Sequence, residues 1–279
     1  MKLVVTGAGG GLGRAFLEQV PAGHDVVPLT RTELDVADHG AVMGAVPALK
    51  PDAVLHFGAM TAVDGCELDP EQAYRVNGLG PHSLALAARA CGAILLHVST
   101  DYVFDGEKGT AYDEMDRPNP VSAYGRSKLA GESKVRAMLP EHFVVRTSYV
   151  FGGGTDYVTQ AIAALERGEA AGGLVDRVGS PTFVRHLAAR ILPLVLTERF
   201  GTYHVCGSES GSWHDVLARA RSIAGLPGEV RTQTSEELAR PAARPGNSSM
   251  VSLFTKELGL APMPPFDVAL KEMLDGRGH

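Results

Sequence analysis

The sequence predicts an α/β fold with a doubly wound parallel sheet and a smaller C-terminal lobe. Short apolar runs alternate with helical patterns over the first 150 residues, which is typical of βαβ units. A glycine-rich turn directly follows the first of these runs. Beyond residue 150 the alternation weakens, so we expect one domain over 1–150 and a lobe over most of 151–279, with some segments returning to the first domain.

The composition of the chain is that of an ordinary globular protein. Of its 279 residues, 44% are hydrophobic and 21% charged, and the formal net charge of -6 argues against a nucleic-acid partner. No run approaches the roughly 18 continuous apolar residues of a membrane span, and the N-terminus does not resemble a signal peptide. Three cysteines without C-x-x-C spacing favour a reducing compartment, so we expect a cytoplasmic protein without a membrane partner.

The elements of the sheet domain follow in order. The predicted strands are 3–5, 25–29, 52–57, 93–98 and 143–147, and a short strand is expected later at 202–205. The predicted helices cover 40–47, 70–77, 81–91, a segment from Tyr124 to about Met138, 156–168, 184–198 and 266–274. The continuous apolar run 93–98 is typical of a strand covered on both faces. Ligands of such sheets bind at the carboxyl ends of the strands.

The turn after the first strand indicates a dinucleotide site of the Rossmann type. It contains Gly7, Gly10, Gly11, Leu12 and Gly13 between a strand and a helix. Glycines there permit a tight turn, close approach to a pyrophosphate and close packing of helix on strand, and the helix N-terminus favours anions. A flexible glycine loop without a ligand is the alternative, but the position at the start of a βα unit favours the cofactor.

Residues after the second and third strands suggest which cofactor binds. The second strand ends without the carboxylate that binds the ribose of NAD, and Arg31 follows, which suits the 2′-phosphate of NADP. We therefore expect NADPH to be preferred over NADH. The alternative is that Arg31 is a solvated loop arginine without a ligand. Asp35 and Val36 stand where the adenine would lie, and Gly58 and Ala59 let a cofactor lie against the backbone.

Tyr124 and Lys128 stand four residues apart in a predicted helix, so their side chains share one face. An ammonium beside a phenol lowers the phenol pKa, which makes the two a candidate proton-transfer pair. By itself this spacing is common, and a half-buried tyrosine beside a solvated lysine is the alternative. A hydroxyl at Ser99 or Thr100 ends the fourth strand and is aimed at the same site.

Several motifs together resemble the extended short-chain dehydrogenase/reductase superfamily and, more narrowly, the dTDP-4-dehydrorhamnose reductase family. They occur in the family's order and span nearly the whole chain. The motifs are Thr6-Gly7-x-x-Gly10-x-x-Gly13, Leu34-Asp35-Val36-x-Asp38, Thr61-Ala62-Val63-Asp64-x-x-Glu67, Ser99-Thr100-Asp101-Tyr102-Val103-Phe104, Tyr124-Gly125-x-x-Lys128-Leu129-Ala130-Gly131-Glu132, Arg146-Thr147-Ser148, Gly179-x-Pro181-Thr182 and Arg244-Pro245-x-Asn247-Ser248.

The resemblance implies reduction of the C4 keto group of a nucleotide-activated 6-deoxy sugar by NAD(P)H. Tyr124 would protonate the developing alkoxide, Lys128 would bind the nicotinamide ribose and Thr100 would position the carbonyl. The implied partner is a dTDP-sugar or related sugar nucleotide, the 151–279 region would be mostly its binding lobe, and the protein would be a monomer or homodimer. The implied substrate-binding residues are Thr61, Asp101, Tyr102, Tyr149 and Arg244.

The chain also departs from the family pattern. His56 to Ala59 replace the usual Asn-Ala-Ala-Ala, and Tyr149 replaces a frequent tryptophan. Positions at which some members carry magnesium-binding glutamates are Ala15 and Arg185, so no metal is expected. The alternative to substrate binding is a loop-capping carboxylate for Asp101 and an exposed linker arginine for Arg244. A sugar-nucleotide 4-epimerase and a non-catalytic NADP-binding regulatory subunit remain the rival functions.

Overall fold

The computed structural model of the protein describes residues 1–276, and in this range a parallel sheet of six strands forms the centre of the fold. Strands in this range are β1 (Lys2–Thr6), β2 (Asp25–Leu29), β3 (Ala53–His56), β4 (Ile94–Thr100), β5 (His142–Thr147), β6 (Val150–Phe151), β7 (Ala171–Leu174), β8 (Val178–Gly179), β9 (Thr182–Phe183), β10 (Gly201–His204), β11 (Gly211–Ser212) and β12 (Val230–Gln233). Helices in this range are α1 (Gly11–Leu17), α2 (His39–Leu49), α3 (Val63–Leu68), α4 (Pro70–Tyr74), α5 (Gly80–Cys91), α6 (Ala123–Met138), α7 (Tyr157–Glu166), α8 (Val184–Val195), α9 (Trp213–Ala224), α10 (Ser235–Leu238) and α11 (Phe266–Asp275).

The strand order of the central sheet is β2-β1-β3-β4-β5-β10, and every neighbouring pair is parallel. The chain runs outward from β1 to β2 and then crosses to β3 on the other side of β1. This reversal places the switch point between β1 and β3, where ligands of doubly wound sheets bind. The predicted fold class is confirmed.

Two apolar layers cover the sheet because its strands alternate their side chains between the faces. On β1, Leu3 and Val5 pack with the side of α1 and α8, whereas Val4 packs with α2 and α5. These three side chains are fully buried, and burying each contributes about 1.5–3 kcal/mol. The long apolar run that predicted a two-sided strand at 93–98 corresponds to β4 in the middle of this sheet.

The chain beyond residue 150 divides between the central sheet and a lobe. Strand β10 extends the sheet beside β5, and α8 packs on α1. The remaining elements build the lobe, in which β7 and β12 pair in parallel beneath α7 and α9, while β8 pairs with β11 and β6 with β9. The boundary at residue 150 stays a prediction, and the last three residues of the predicted lobe, 277–279, lie outside the described residues.

Some element ends differ from the prediction. The helix expected over 70–77 ends as α4 at Tyr74 and passes into a single π-helical turn, Arg75–Leu79. The helix expected over 184–198 ends at Val195. Among the described residues, no helix is long and apolar enough to cross a membrane.

Candidate active site

A cleft of about 940 Å³ opens at the carboxyl ends of β1, β3 and β4. The switch point of the sheet therefore coincides with this cleft. The cleft brings together seventeen of the predicted site residues: Gly7, Gly10, Gly11, Leu12, Gly13, Arg31, Asp35, Val36, Gly58, Ala59, Thr61, Thr100, Asp101, Tyr102, Tyr124, Lys128 and Tyr149. Arg244 does not line it.

The glycine turn packs so closely that side chains are excluded. Gly7 has a φ of 75°, and a Cβ on it would lie 2.4 Å from the backbone nitrogen of Gly58. A Cβ on Gly13 would lie 2.5 Å from the Gly7 carbonyl oxygen. The turn thus holds the start of α1 against β1 and the loop after β3, and this cradle fits the pyrophosphate of a dinucleotide.

Arg31 lies at the end of β2 on the rim of the same cleft. Its side chain is 77% exposed, and its Nε is 3.9 Å from an Asp35 carboxylate oxygen, too far for a hydrogen bond. The carboxylate of Glu33 accepts hydrogen bonds from the Thr30 amide and hydroxyl, both at 2.7 Å, and does not line the cleft. Arg31 therefore presents an exposed cation at this rim, beside the partly exposed carboxylate of Asp35.

Helix α6 carries Tyr124 and Lys128 into the cleft from its first turns. Ser122 caps this helix by accepting a hydrogen bond from the Gly125 amide at 3.2 Å. Both Tyr124 and Lys128 line the cleft, as their four-residue spacing predicts. The Tyr124 ring packs edge-on against Tyr102, with the ring centroids 5.7 Å apart.

Burial dominates the electrostatics of this pair. Burial raises the pKa of Tyr124, and it outweighs the hydrogen bond with Thr100, which lowers that pKa. It lowers the pKa of Lys128 to about 8, with the Glu132 carboxylate opposing the shift. The Lys128 ammonium donates to the Val98 carbonyl oxygen at 2.7 Å. Burial of the phenol is the largest cause acting on its pKa, and the predicted lowering of the Tyr124 pKa by Lys128 stays a prediction.

Asp101 is buried at the end of β4 and connects three parts of the chain. Its carboxylate accepts hydrogen bonds from Thr100 at 3.0 Å, from Ser148 at 2.9 Å and from Ser248. Burial raises its pKa to about 6 although these hydroxyls oppose the shift. Because the Thr100 hydroxyl donates to Asp101, the Asp101 carboxylate orients that hydroxyl. Asp101 therefore lines the cleft and also holds the segments that form the cleft wall.

A buried ion pair lies one helical turn beyond Lys128. Glu132 is fully buried and accepts hydrogen bonds from Arg146 at 2.9 and 2.8 Å and from Ser99 at 2.6 Å. The sequence analysis includes Glu132 in a family motif but assigns it no role. The available signal was a lone arginine in an apolar strand together with a glutamate four residues after the lysine.

An aromatic wall closes another side of the cleft. Trp213, at the start of α9 in the lobe, stacks on Tyr149 with centroids 4.0 Å apart and 2° between the rings. Tyr157 packs edge-on against the same tryptophan. Tyr149 holds a left-handed φ of 45°, which is uncommon for a bulky residue and indicates a constrained position. Trp213 lines the cleft and was missed from the sequence.

Arg244 is held by Asp64, in the first turn of α3. Its two terminal nitrogens donate to the two Asp64 carboxylate oxygens at 3.1 and 2.9 Å. The predicted contact of Arg244 with the substrate remains a prediction.

The comparisons with known proteins match this architecture over the full chain. The family model described as "RmlD substrate binding domain" matches residues 1–277. A dTDP-4-dehydrorhamnose reductase of Mycolicibacterium smegmatis is 38% identical over 97% of this chain and 84% of that protein. The chain belongs to the dTDP-4-dehydrorhamnose reductase family.

Solved structures of this family superpose closely on the fold. The chain is similar to a dTDP-4-dehydrorhamnose reductase of Clostridium acetobutylicum, with 35% identity, a TM-score of 0.96 and 100% of each chain covered. It is also similar to a family member from Bacillus anthracis solved in complex with NADP, with 33% identity, a TM-score of 0.95 and 99% of each chain covered. The predicted family is confirmed.

Proposed function

We propose that this protein reduces the C4 keto group of dTDP-4-dehydrorhamnose, or of a closely related nucleotide-activated 6-deoxy sugar, with NADPH. One observation carries the proposal: a single cleft contains the glycine turn after β1 together with Thr100, Tyr124 and Lys128, in a chain of the reductase family. When bound, the dinucleotide supplies the hydride. The glycine cradle fits its pyrophosphate, and Lys128 would bind its ribose hydroxyls.

The electrostatics of the cleft suit Tyr124 as the proton donor. A phenol whose pKa is raised by burial keeps its proton at neutral pH. It can then protonate the oxygen of a ketone that is being reduced. Thr100 would position this oxygen by donating its single hydroxyl proton to it, for which the hydroxyl must turn away from Asp101, to which it donates at 3.0 Å here. A proton donor placed in this way typically contributes about 10²–10⁴-fold to the rate.

The preference for NADPH over NADH belongs to the same proposal. The exposed guanidinium of Arg31 at the end of β2 supports it, since arginine pairs well with a 2′-phosphate. The substitution Arg31→Gln should lower the affinity for NADPH and leave the affinity for NADH unchanged. Equal weakening of both cofactors would contradict this role. Cytoplasmic location and a monomer or homodimer are part of the proposal, and the free thiols of Cys66, Cys91 and Cys206 fit a reducing compartment.

The test is turnover of the keto sugar by the purified protein, followed as loss of NADPH absorbance. We expect stoichiometric NADPH oxidation by the wild type and a loss of about 10²–10⁴-fold in kcat for Tyr124→Phe, with NADPH affinity unchanged. Sugar conversion without net NADPH consumption would instead identify an epimerase. Absence of turnover together with co-purification of a second polypeptide would identify a regulatory subunit.

A further inference from the structure

A pocket separate from the cleft opens between α6, β10 and the loop before α6, and we call it the α6 pocket. Its volume is about 460 Å³, and none of its lining residues lines the cleft. Three of these residues are arginines: Arg117 in the loop, Arg136 on α6 and Arg146 on β5. Ser133 and Thr202 add two hydroxyl side chains to the lining. The α6 pocket therefore gathers hydrogen-bond donors from four segments of the chain.

Arg146 contributes a buried donor without a partner. Its side chain is 4% exposed, and its Nε and Nη2 donate to Glu132 at 2.9 and 2.8 Å. Its Nη1 is buried and has no hydrogen-bond partner among the residues that the structure describes. The guanidinium carbon lies 5.2 Å from the centroid of the Phe104 ring, a contact that accepts no conventional hydrogen bond. A buried donor of this kind lowers stability unless a ligand or a water molecule accepts from it.

The other two arginines of the α6 pocket are also incompletely paired. Arg136 is 35% exposed, and its Nη1 donates to Glu132 at 3.0 Å and to Thr202 at 3.4 Å. Arg117 is exposed and makes no hydrogen bond or ion pair with another residue of the described range 1–276. The single carboxylate of Glu132 thus serves two guanidinium groups, and the third has no carboxylate partner in that range.

The two carboxylates that line the α6 pocket are committed to other donors. Glu114 accepts hydrogen bonds from the amides of His204 and Leu253, both at 2.9 Å. Asp116 accepts from the ammonium of Lys108. Within residues 1–276 neither carboxylate forms an ion pair with an arginine. The arginines therefore keep donors for an anion from solution, and donors that converge from several segments suit a tetrahedral oxyanion.

We propose that the α6 pocket binds a phosphate group through Arg117, Arg136 and Arg146, and that the bound phosphate stabilises the fold. The planar fork of a guanidinium matches phosphate oxygens. A ligand that binds only the folded protein stabilises it by mass action, and this one would connect α6, β5 and β10 with the loop before α6. The phosphate group can be inorganic phosphate or part of a phosphomonoester, because both present the same oxygens to these donors. The proposal does not depend on the proposed reductase, since the pocket and the cleft share no lining residue.

The experiment measures dissociation constants by calorimetric titration with inorganic phosphate and, in a second arm, with glucose 6-phosphate. NADPH is present at saturation so that the glycine cradle of the cleft is occupied, and potassium chloride keeps the ionic strength constant. We expect Arg117→Gln and Arg136→Gln to bind phosphate about 10–100-fold more weakly than the wild type, since a hydrogen bond to a charged group is worth about that factor. The melting temperature of the wild type should rise with phosphate and level off at the concentration that saturates the titration.

Arg126→Gln is the matched control, because Arg126 is an exposed arginine of the same helix that pairs with Glu67 and does not line the α6 pocket. It should bind phosphate as the wild type does. Three results would overturn the site: no phosphate binding by the wild type, equal binding by the wild type and both pocket variants, or an equal loss in Arg126→Gln. Tighter binding of glucose 6-phosphate than of inorganic phosphate would support the site and identify a phosphomonoester as its ligand. The reverse order would support the site and identify the free ion.

Discussion

The buried ammonium of Lys128 predicts an alkaline limit to NADPH binding. This side chain is 2% exposed, and burial lowers its pKa from 10.5 to about 8 while Glu132 opposes the shift. At about 1.4 kcal/mol per pKa unit, the shift corresponds to about 3 kcal/mol against the charged form. The positive charge is therefore present below about pH 8 and lost as the pH rises through that value.

The assay measures the dissociation constant of NADPH by fluorescence, for the wild type and for Lys128→Met, from about pH 7 to about pH 10. This range lies above the pKa of about 6 of a phosphate group, so the charge of the NADPH phosphate stays constant in it. We expect wild-type affinity to fall by about 10–100-fold above pH 8, because a charged hydrogen-bond donor contributes about 1.5–3 kcal/mol. Lys128→Met should bind weakly at every pH in this range. The pKa of Tyr102 is raised to about 12 and that of Cys66 to about 11, so neither titrates in it.

A wild-type affinity that stays constant over this range, or an equal decline in Lys128→Met, would refute the reasoning. Stability offers a second readout with a fixed sign. Between about pH 8 and 10.5 the unfolded chain holds the Lys128 proton more tightly than the folded protein does. The free energy of unfolding should therefore rise with pH in this window in the wild type relative to Lys128→Met.

Three further substitutions test the surroundings of the site. Glu132→Gln leaves the buried charge of Arg146 without its partner and should lower the free energy of unfolding in urea by about 3–5 kcal/mol; a loss below about 1 kcal/mol would contradict this. Trp213→Ala removes the ring stacked on Tyr149 and should raise the KM for the sugar nucleotide about 2–10-fold at constant NADPH affinity, as expected for an aromatic pair. An unchanged KM would remove Trp213 from the substrate site. Gly7→Ala forces a side chain into a left-handed turn at a cost of about 1–3 kcal/mol, so both melting temperature and NADPH affinity should fall, and retention of both would argue against the tight cradle.

The parts of the fold and site that follow local rules could be predicted from the sequence. The apolar run of β4 indicates a strand buried on both faces, and the glycine turn indicates the end of β1. The spacing of Tyr124 and Lys128 places both on one face of α6, where the structure has them. Each of these inferences needs only a few neighbouring residues and the geometry of a helix or strand.

The parts of the fold and site that depend on packing between distant segments could not be predicted from the sequence. Trp213 reaches the cleft only because the lobe places the start of α9 against Tyr149, and no local pattern encodes that contact. The direction of the Tyr124 pKa shift depends on how completely the phenol is buried, which the helical spacing does not reveal. The pairing of Arg146 with Glu132 likewise joins β5 to α6 in a way that only the assembled core specifies.

The return of β10 and α8 to the central sheet has a consequence for protein engineering. These segments lie between stretches of lobe sequence, so no single cut in the chain separates the two regions. A fragment ending near residue 150 would expose the hydrogen-bonding edge of β5 and the apolar side of α1, and we expect it to aggregate. Exchanging substrate lobes between relatives would therefore require two grafts that spare β10 and α8, and a chimera joined at one crossover should fail to express in soluble form.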